Sequence, residues 1–425
     1  MYNFSFRKVS FLAILIGLLF FSFMIMGASA ATQSVGGTIY GDVNMDNVVD
    51  AVDLALIKSY LLGKTDTLPN LEAADVNGDG SADALDFAEM KKYLLGIISE
   101  FPASQNNNNS DKTLIPHESW TCGMSSGIPK PEKGTLVFEA TLKLDKSYNL
   151  GKTQYGQRKA FVIQNSSINS SKFNGTVMSG GLDFQLELSN GVIEIEQLLM
   201  IRANDGSYIH LRSAGTGINQ NDVRIVYDFE APNSSSSNWL NSGKFVGRRT
   251  VDTATNTIKI SVYDVSNISL DTANAVKITK PTDVPYQPWN YRLASNERRG
   301  NVFITEQVAL GGSQSVGATK NGRNRNVIPI TGGTVTGNLT AKIIAAGADY
   351  QNLSNPMTID ARYLWETNDG EIIIVRNGGQ FGSLVPTFEV RADSKYSYLN
   401  QKLYLSSDPG MGGNGVSITF YESVK

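Results

Sequence analysis

Two twelve-residue segments with the same alternation of oxygen-bearing side chains most constrain what this chain can fold into. Each segment carries Asp or Asn at positions one, three, five, nine and twelve. Position seven is predicted to contribute its backbone carbonyl oxygen. A hard cation such as calcium takes roughly six to eight oxygen ligands, and a tight loop supplies them at this spacing. The predicted ligands are Asp42, Asn44, Asp46, Val48, Asp50 and Asp53 in the first segment, and Asp75, Asn77, Asp79, Ser81, Asp83 and Asp86 in the second. The sequence therefore predicts two bound calcium ions.

A helical pattern follows each segment. Apolar residues recur with helical spacing over residues 54–61 and again over residues 87–94, and Gly63 and Gly96 stand where each helix is expected to end. The duplicated unit of loop plus helix, with Asp rather than Glu at position twelve, resembles the type I dockerin module of cellulosomal proteins. The resemblance covers about residues 41–96, and we predict a small helical domain over residues 36–100.

The resemblance implies a partner, the cohesin domain of a scaffoldin, and an extracellular, cellulosome-bound location. It also implies that positions ten and eleven of each loop contact the cohesin, with nearby lysines at the rim. These predicted contacts are Ala51, Val52, Lys58, Ala84, Leu85, Lys91 and Lys92. Dockerins often carry Ser-Thr where this chain has Ala-Val and Ala-Leu, so the class of cohesin stays open. The near-twofold repeat permits two binding orientations.

The start of the chain predicts export. Arg7 and Lys8 precede the apolar run Phe11–Met26, and the small residues Ala28–Ala30 offer a cleavage site, so residues 1–30 are predicted to be a signal peptide. The mature protein would then be secreted without a membrane segment; an uncleaved membrane anchor is the alternative. Residues 101–113 include a polar Asn-rich run and are predicted to be a linker.

Charge and histidine content exclude several classes of function. A formal net charge of -3 gives no electrostatic ground for a nucleic-acid partner. The chain has only two histidines, which argues against a Ser-His-Asp triad or a multi-histidine zinc site in the C-terminal part.

Beyond the linker the pattern changes to short alternating strands separated by Gly, Asn and Ser, and it occurs twice. We predict one domain over residues 114–265, a Pro-containing connection over 266–298 and a second domain over 299–425. The motifs Gly347–Gln351, Ile359–Arg362, Asn368–Gly370 and Tyr398–Asn400 resemble the bacterial domain-of-unknown-function family 3237, whose members are single β-barrels without a settled activity. The predicted fold class is mainly β, with a small α calcium-loop dockerin domain and two tandem antiparallel β-barrels of about eight strands each. A sandwich is the alternative.

Four polar residues of the second copy are the predicted catalytic set: Asp349, Asp360, Arg323 and Arg362. Two carboxylates that face one cavity can act as general acid and base or nucleophile, which predicts a hydrolase of O-glycosyl bonds at the barrel mouth, acting on plant cell-wall polysaccharide. Two alternatives stay open. One is a non-catalytic carbohydrate-binding or accessory module, and the other is a small-molecule isomerase or lyase. Copy one keeps Asp183, Glu196, Arg158 and Arg212; Arg212 parallels Arg376, and the arginine at the Arg362 position is replaced by Leu198.

Overall fold

The computed structural model of the protein describes residues 38–78, 81–104, 112–118, 120, 122–285, 297–413 and 415–424. The predicted signal peptide and most of the Asn-rich linker lie outside these residues. The chain divides into two compact units, Met1–Asn109 and Ser110–Lys425. None of the helices within the described ranges combines the length and apolar character that a membrane span requires.

The first unit contains the helices predicted after each loop. These are α1 (Ala51–Leu61), the short α2 (Leu71–Ala74) and α3 (Ala84–Leu94). Gly63 follows α1 with a φ of 64° and Gly96 follows α3 with a φ of 69°, the left-handed conformation that terminates a helix at low cost in glycine. The helices close over a small apolar core formed by Val43, Ile57, Ala74, Val76, Met90 and Phe101.

The first barrel of the second unit is a closed ring. After β1 (Leu114–Ile115) its strands are β2 (Thr135–Lys152), β3 (Gln157–Ile163), β4 (Ser166–Asn169), β5 (Asn174–Val177), β6 (Leu182–Glu187), β7 (Ile193–Ala203), β8 (Tyr208–Gly217), β9 (Val223–Glu230), β10 (Phe245–Asp252) and β11 (Thr257–Asp264). Antiparallel pairings run β2–β3–β6–β7–β8–β9–β10–β11 and return to β2. This eight-stranded ring leaves the long strands without a free edge. The β4–β5 hairpin additionally pairs with β2 and β7.

The second barrel repeats this path. The connection contributes β12 (Val276–Lys277), which pairs in parallel with β1. The barrel strands are β13 (Arg298–Leu310), β14 (Gln314–Ala318), β15 (Asn324–Gly337), β16 (Ala341–Ile343), β17 (Ala348–Asn352), β18 (Thr358–Thr367), β19 (Ile372–Gln380), β20 (Val385–Glu389), β21 (Tyr404–Ser406), β22 (Gly410–Gly412) and β23 (Gly415–Val424). The ladder runs from β20 through β13 to β21, and a bond of 2.9 Å from the Ser406 N–H to the Leu384 carbonyl joins its two ends. The predicted mainly β class with a small helical domain is confirmed.

The two barrels pack against each other through apolar outer faces. Each barrel interior has its own core, since inward side chains alternate with outward ones along every strand. A third core lies between the barrels, where Phe184 and Met200 of the first meet Tyr350 and Leu364 of the second. The contacting strands are therefore buried on both faces.

Candidate functional site

The first loop of the helical unit folds around two carboxylates. Asp42 is 4% exposed and accepts the backbone N–H of Asp46 at 3.0 Å. Asp53 is fully buried and accepts the N–H groups of Val43 and Asn44 at 2.8 and 3.0 Å. The loop backbone thus wraps carboxylate oxygens that the sequence assigns to calcium.

The second loop repeats the arrangement. The Asp86 carboxylate accepts the N–H groups of Asn77 and Asp83 at 3.0 and 2.7 Å, and Asp75 accepts that of Gly78 at 2.8 Å. Asp53 accepts the corresponding N–H groups of Asn44 and Asp50 in the first loop, so the two loops share this part of their hydrogen bonding.

Position nine of each loop caps the helix that follows. Asp50 accepts the Val52 N–H and Asp83 accepts the Leu85 N–H, both at 2.7 Å. In both helices the third residue, an aspartate, returns a bond to the cap backbone and completes a capping box. Loop and helix are therefore tied together through the predicted calcium ligands.

The donor set of the loops fits calcium. Eleven of the twelve predicted ligands are described, and Asp79 lies outside the described residues. No group of three or more His, Cys, Asp or Glu side chains is arranged as a metal site within the described ranges. The predicted set also relies on the amides of Asn44 and Asn77 and on the carbonyls of Val48 and Ser81, which are hard oxygen donors suited to calcium.

The predicted partner residues at the two helix starts are exposed. Val52 is 54% exposed and Leu85, at the same position of the second repeat, is 62% exposed. At the helix ends Leu62 and Leu95 are 60% and 69% exposed, again at equivalent positions. Exposed apolar side chains that repeat in pairs on so small a domain indicate a surface that meets a partner.

The three predicted rim lysines are also on the surface. Lys92 donates to the Glu89 carboxylate at 2.6 Å, and the Lys91 ammonium lies 6.0 Å from the centre of the Phe87 ring. Lys58 lies in the last turn of α1.

In the second barrel, Asp349 and Asp360 do not face one cavity. Asp349 pairs across the sheet with Ala361, whose side chain belongs to the barrel interior. Asp360 lies on the alternate face of β18 with Arg362, toward the first barrel. The expectation of two carboxylates in one barrel mouth is therefore not met, because strand alternation separates them.

Arg362 belongs to an ion cluster between the barrels. Its guanidinium binds Asp360 through two bonds of 2.6 and 3.0 Å and Glu196 of the first barrel at 3.0 Å. Arg376 and Arg212 donate to the same glutamate at 3.2 and 3.4 Å. Burial alone would raise the pKa of Glu196, but the three guanidinium groups outweigh it and hold that pKa below its ordinary value.

Arg323 takes part in a second ion cluster at the same interface. It donates to Glu230 of the first barrel at 2.6 Å, and Arg325 donates to that carboxylate at 3.1 Å. Reciprocally, Arg158 of the first barrel donates to Glu389 of the second at 2.8 Å. The repeated pattern aligns Glu230 with Glu389, so the two contacts are related like those of a symmetric dimer.

Asp349 itself is poorly partnered. Its Oδ2 accepts from Gln351 at 2.7 Å, the one side-chain donor to this carboxylate within the described part of the chain. Burial raises the pKa of this carboxyl to about 7, and the Asp360 charge adds to the shift. Asp349 is the one predicted catalytic acid whose proton affinity suits proton transfer near neutrality.

An open cleft occurs in the first barrel. It lies beside Asp183, which is equivalent to Asp349 and bonds to the lining residue Arg249. The volume of the cleft is about 690 Å³, and its lining includes Phe161, Gln185 and Arg249. The Arg249 guanidinium binds the fully buried Asp183 through bonds of 2.9 and 2.6 Å and Gln185 through one of 2.9 Å. Its carbon Cζ lies 5.3 Å from the centre of the Phe161 ring.

A row of inward side chains supports the floor of this cleft. Strand pairing places Phe161, Asp183, Gln197, Ser213 and Tyr227 side by side on five successive strands. Gln197 donates to the Asp183 carboxylate. Sequence comparison of the two copies singled out Asp183 but missed Arg249, which strand alternation along β10 places on the inward face with Phe245.

Comparison with known proteins gives two family matches. The model for "Dockerin type I domain" matches residues 40–95. The model for "Protein of unknown function (DUF3237)" matches residues 133–267 and 300–383, together just over half of the chain.

Among curated proteins, the chain is similar to three UPF0311 proteins. It is 35% identical over 107 residues to one of Bradyrhizobium diazoefficiens, covering 20% of this chain and 70% of the relative. It is 31% identical over 80 residues to one of Clostridium acetobutylicum and 36% identical over 83 residues to one of Rhodopseudomonas palustris, each covering 19% of this chain. It spans about half the length of these two, 51% and 54%.

Two solved structures are similar to this chain over limited coverage. A protein of unknown function from Clostridium acetobutylicum is 24% identical, with a TM-score of 0.28 and coverage of 31% of this chain and 97% of that chain. A ScaB dockerin in complex with the third cohesin ScaC from Acetivibrio cellulolyticus is 39% identical, with a TM-score of 0.16 and coverage of 16% and 99%.

Proposed function

Since this chain belongs to the DUF3237 family and carries a type I dockerin domain at residues 40–95, we propose that it is a secreted docking protein of a cellulosome. Its dockerin binds a cohesin domain of a scaffoldin in the presence of calcium. The two barrels are thereby held beside plant cell-wall polysaccharide, in whose degradation the protein takes part.

The paired exposed residues Val52 and Leu85 carry this proposal. They sit at the same position of two helices that begin in the same way, so either helix can lead into one cohesin surface. Apolar side chains that become fully buried at an interface contribute most of its binding free energy.

Calcium supports the surface indirectly. The predicted loop ligands include Asp53 and Asp86, which also accept the backbone bonds that begin α1 and α3. Bound calcium would neutralise the carboxylates gathered there, and without it they repel one another. Residues 42–53 and 75–86 would hold one ion each.

For the barrels we favour the accessory, carbohydrate-binding role over hydrolysis. The separation of Asp349 from Asp360 removes the paired acids on which the hydrolase prediction depended. The cleft of the first barrel, with apolar, amide and hydroxyl side chains in its lining, supports binding.

Paired substitutions test the docking. Val52→Asp and Leu85→Asp each place a charge in one of the two equivalent surfaces, so each single variant should keep cohesin binding through the other helix. The double variant should lose at least about a hundredfold in affinity, since two buried anchors are gone. Binding to type I cohesins is measured by calorimetry, with Lys64→Asp as a surface control. Unchanged affinity in the double variant would contradict the proposed surface.

Sugar release tests the role of the barrels. The full chain is incubated with a panel of plant polysaccharides, and soluble sugars are measured for the natural sequence, Asp349→Asn and Asp360→Asn. We expect retention on polysaccharide without release of sugars. Release that either substitution abolishes would restore the hydrolase assignment.

A further inference from the structure

The cleft of the first barrel has the features of a selective ligand site. We propose that it binds a neutral, hydroxyl-rich ligand, the end of an oligosaccharide chain, on a floor made by Arg249, Gln185 and Phe161. This inference rests on the accessory role proposed above and assigns it a place and a ligand class.

The floor combines a fixed polar pair with an apolar surface. Arg249 is held by Asp183 and Gln185 through three hydrogen bonds, which leaves two of its five N–H groups for a ligand. The Phe161 ring lies beside it, and Ile193 and Val223 add further apolar surface to the lining. Sugar rings present hydroxyl groups at their edge and C–H groups on their face, and this floor offers a partner for both.

The charges of the cleft cancel. Its charged lining residues are Lys159, Arg249 and Asp252, and Asp183 lies directly behind Arg249. Two cations and two anions leave no net field to attract an acidic ligand. The rest of the polar lining consists of uncharged amide and hydroxyl side chains.

Buried polar atoms below the floor are still available. Gln197 Oε1 and Ser213 Oγ belong to fully buried residues, and neither has a hydrogen-bond partner among the residues that the structure describes. Both lie in the cross-strand row that includes Asp183. Buried polar atoms are normally satisfied, so a water or a ligand hydroxyl that enters from the cleft has acceptors to meet.

The second barrel provides a natural control. Asp349 and Gln351 occupy the places of Asp183 and Gln185, but Gln351 bonds to Asp349 and to Asn326 instead of an arginine. Within its described residues, the second barrel therefore has the acid and the amide but lacks an arginine bonded to them, as Arg249 is in the first barrel.

Binding is tested on the full chain by calorimetry. The neutral probes are cello-, xylo- and manno-oligosaccharides, and oligogalacturonate is the acidic probe. We expect millimolar or tighter binding of at least one neutral probe and weaker binding of oligogalacturonate. Gln185→Ala should weaken binding about tenfold, since it frees Arg249 from one anchor, while the matched Gln351→Ala should leave it unchanged. Val251→Trp enlarges a lining side chain that already packs against the barrel core and should block the cleft.

Three results would overturn the site: no neutral probe binds, oligogalacturonate binds more tightly, or Val251→Trp and Gln185→Ala bind as the natural sequence does. Cohesin affinity is measured on the same samples. If the natural sequence binds cohesin but no neutral sugar, the result counts against this cleft alone. If the natural sequence does not bind cohesin, the result counts against the proposed docking.

Discussion

Glu306 is a carboxyl group in the apolar core of the second barrel. It is fully buried, and the side chains that donate to it are Tyr363 at 2.8 Å and Trp365 at 2.7 Å. Burial raises its pKa to about 8, and these two neutral donors offset only part of that effect. It lies on β13 between the inward-facing Ile304 and Val308. This alternation, visible in the sequence, indicates that the Glu306 side chain also faces inward.

The stability of the protein should therefore depend on Glu306 and pH. The pKa is higher in the folded than in the unfolded state, so the folded state binds the proton more tightly. The stabilising contribution is complete below about pH 4.5 and is lost as pH rises to about 8, on the order of 4 kcal/mol. Glu306→Gln should remove this dependence and stabilise the protein at pH 8. Denaturant unfolding from pH 5 to 8 measures the free energy of unfolding of both proteins. If that free energy depends on pH in the same way for both, the result would count against a raised pKa of Glu306.

Strand positions followed from the sequence more readily than the direction of their polar side chains. Alternation and turn residues predicted two β copies, and the structure contains them. Alternation did not reveal which face of β18 carries Asp360, since both faces of that strand are buried: Ile359 and Tyr363 lie inside the barrel, and Leu364 lies between the barrels. The dockerin domain was easier to predict because its repeated loop pattern is local in sequence.

The two loops should bind calcium independently. Asp53 accepts three backbone N–H groups of the first loop, from Val43, Asn44 and Asp50. Asp53→Ala removes these bonds and a predicted ligand, so calcium titration should give one ion per chain where the natural sequence gives two. The exposed Asp66→Ala is the control and should still bind two. Two ions in Asp53→Ala would refute the ligand assignment.

The two barrels behave as an internal dimer. Reciprocal ion pairs, Arg158 with Glu389 and Arg325 with Glu230, flank the shared apolar core. This pairing could not be predicted from either copy alone, because the contacting residues lie 231 positions apart in one pair and 95 in the other. The outer faces of the two barrels contact each other. The predicted catalytic residues Arg323 and Arg362 lie at this interface and bind glutamates of the first barrel, so they do not line a barrel mouth.

Removal of one partner of a buried pair tests this interface. Glu389→Gln leaves Arg158 buried with its charge uncompensated and should cost about 3 kcal/mol in the free energy of unfolding. Glu422→Gln breaks the exposed pair with Lys402 and should cost less than about 1 kcal/mol. Denaturant unfolding compares them, and equal costs would mean that the interface does not hold the barrels together.

Calcium dependence of cohesin binding tests the central claim most directly. The affinity of the full chain for a panel of type I cohesins is measured in calcium, in excess chelator and after calcium is restored. We predict binding to at least one cohesin that disappears in chelator and returns with calcium, while the unfolding transition of the barrels stays unchanged. Binding that persists in excess chelator, or no binding to any cohesin in calcium, would contradict the account.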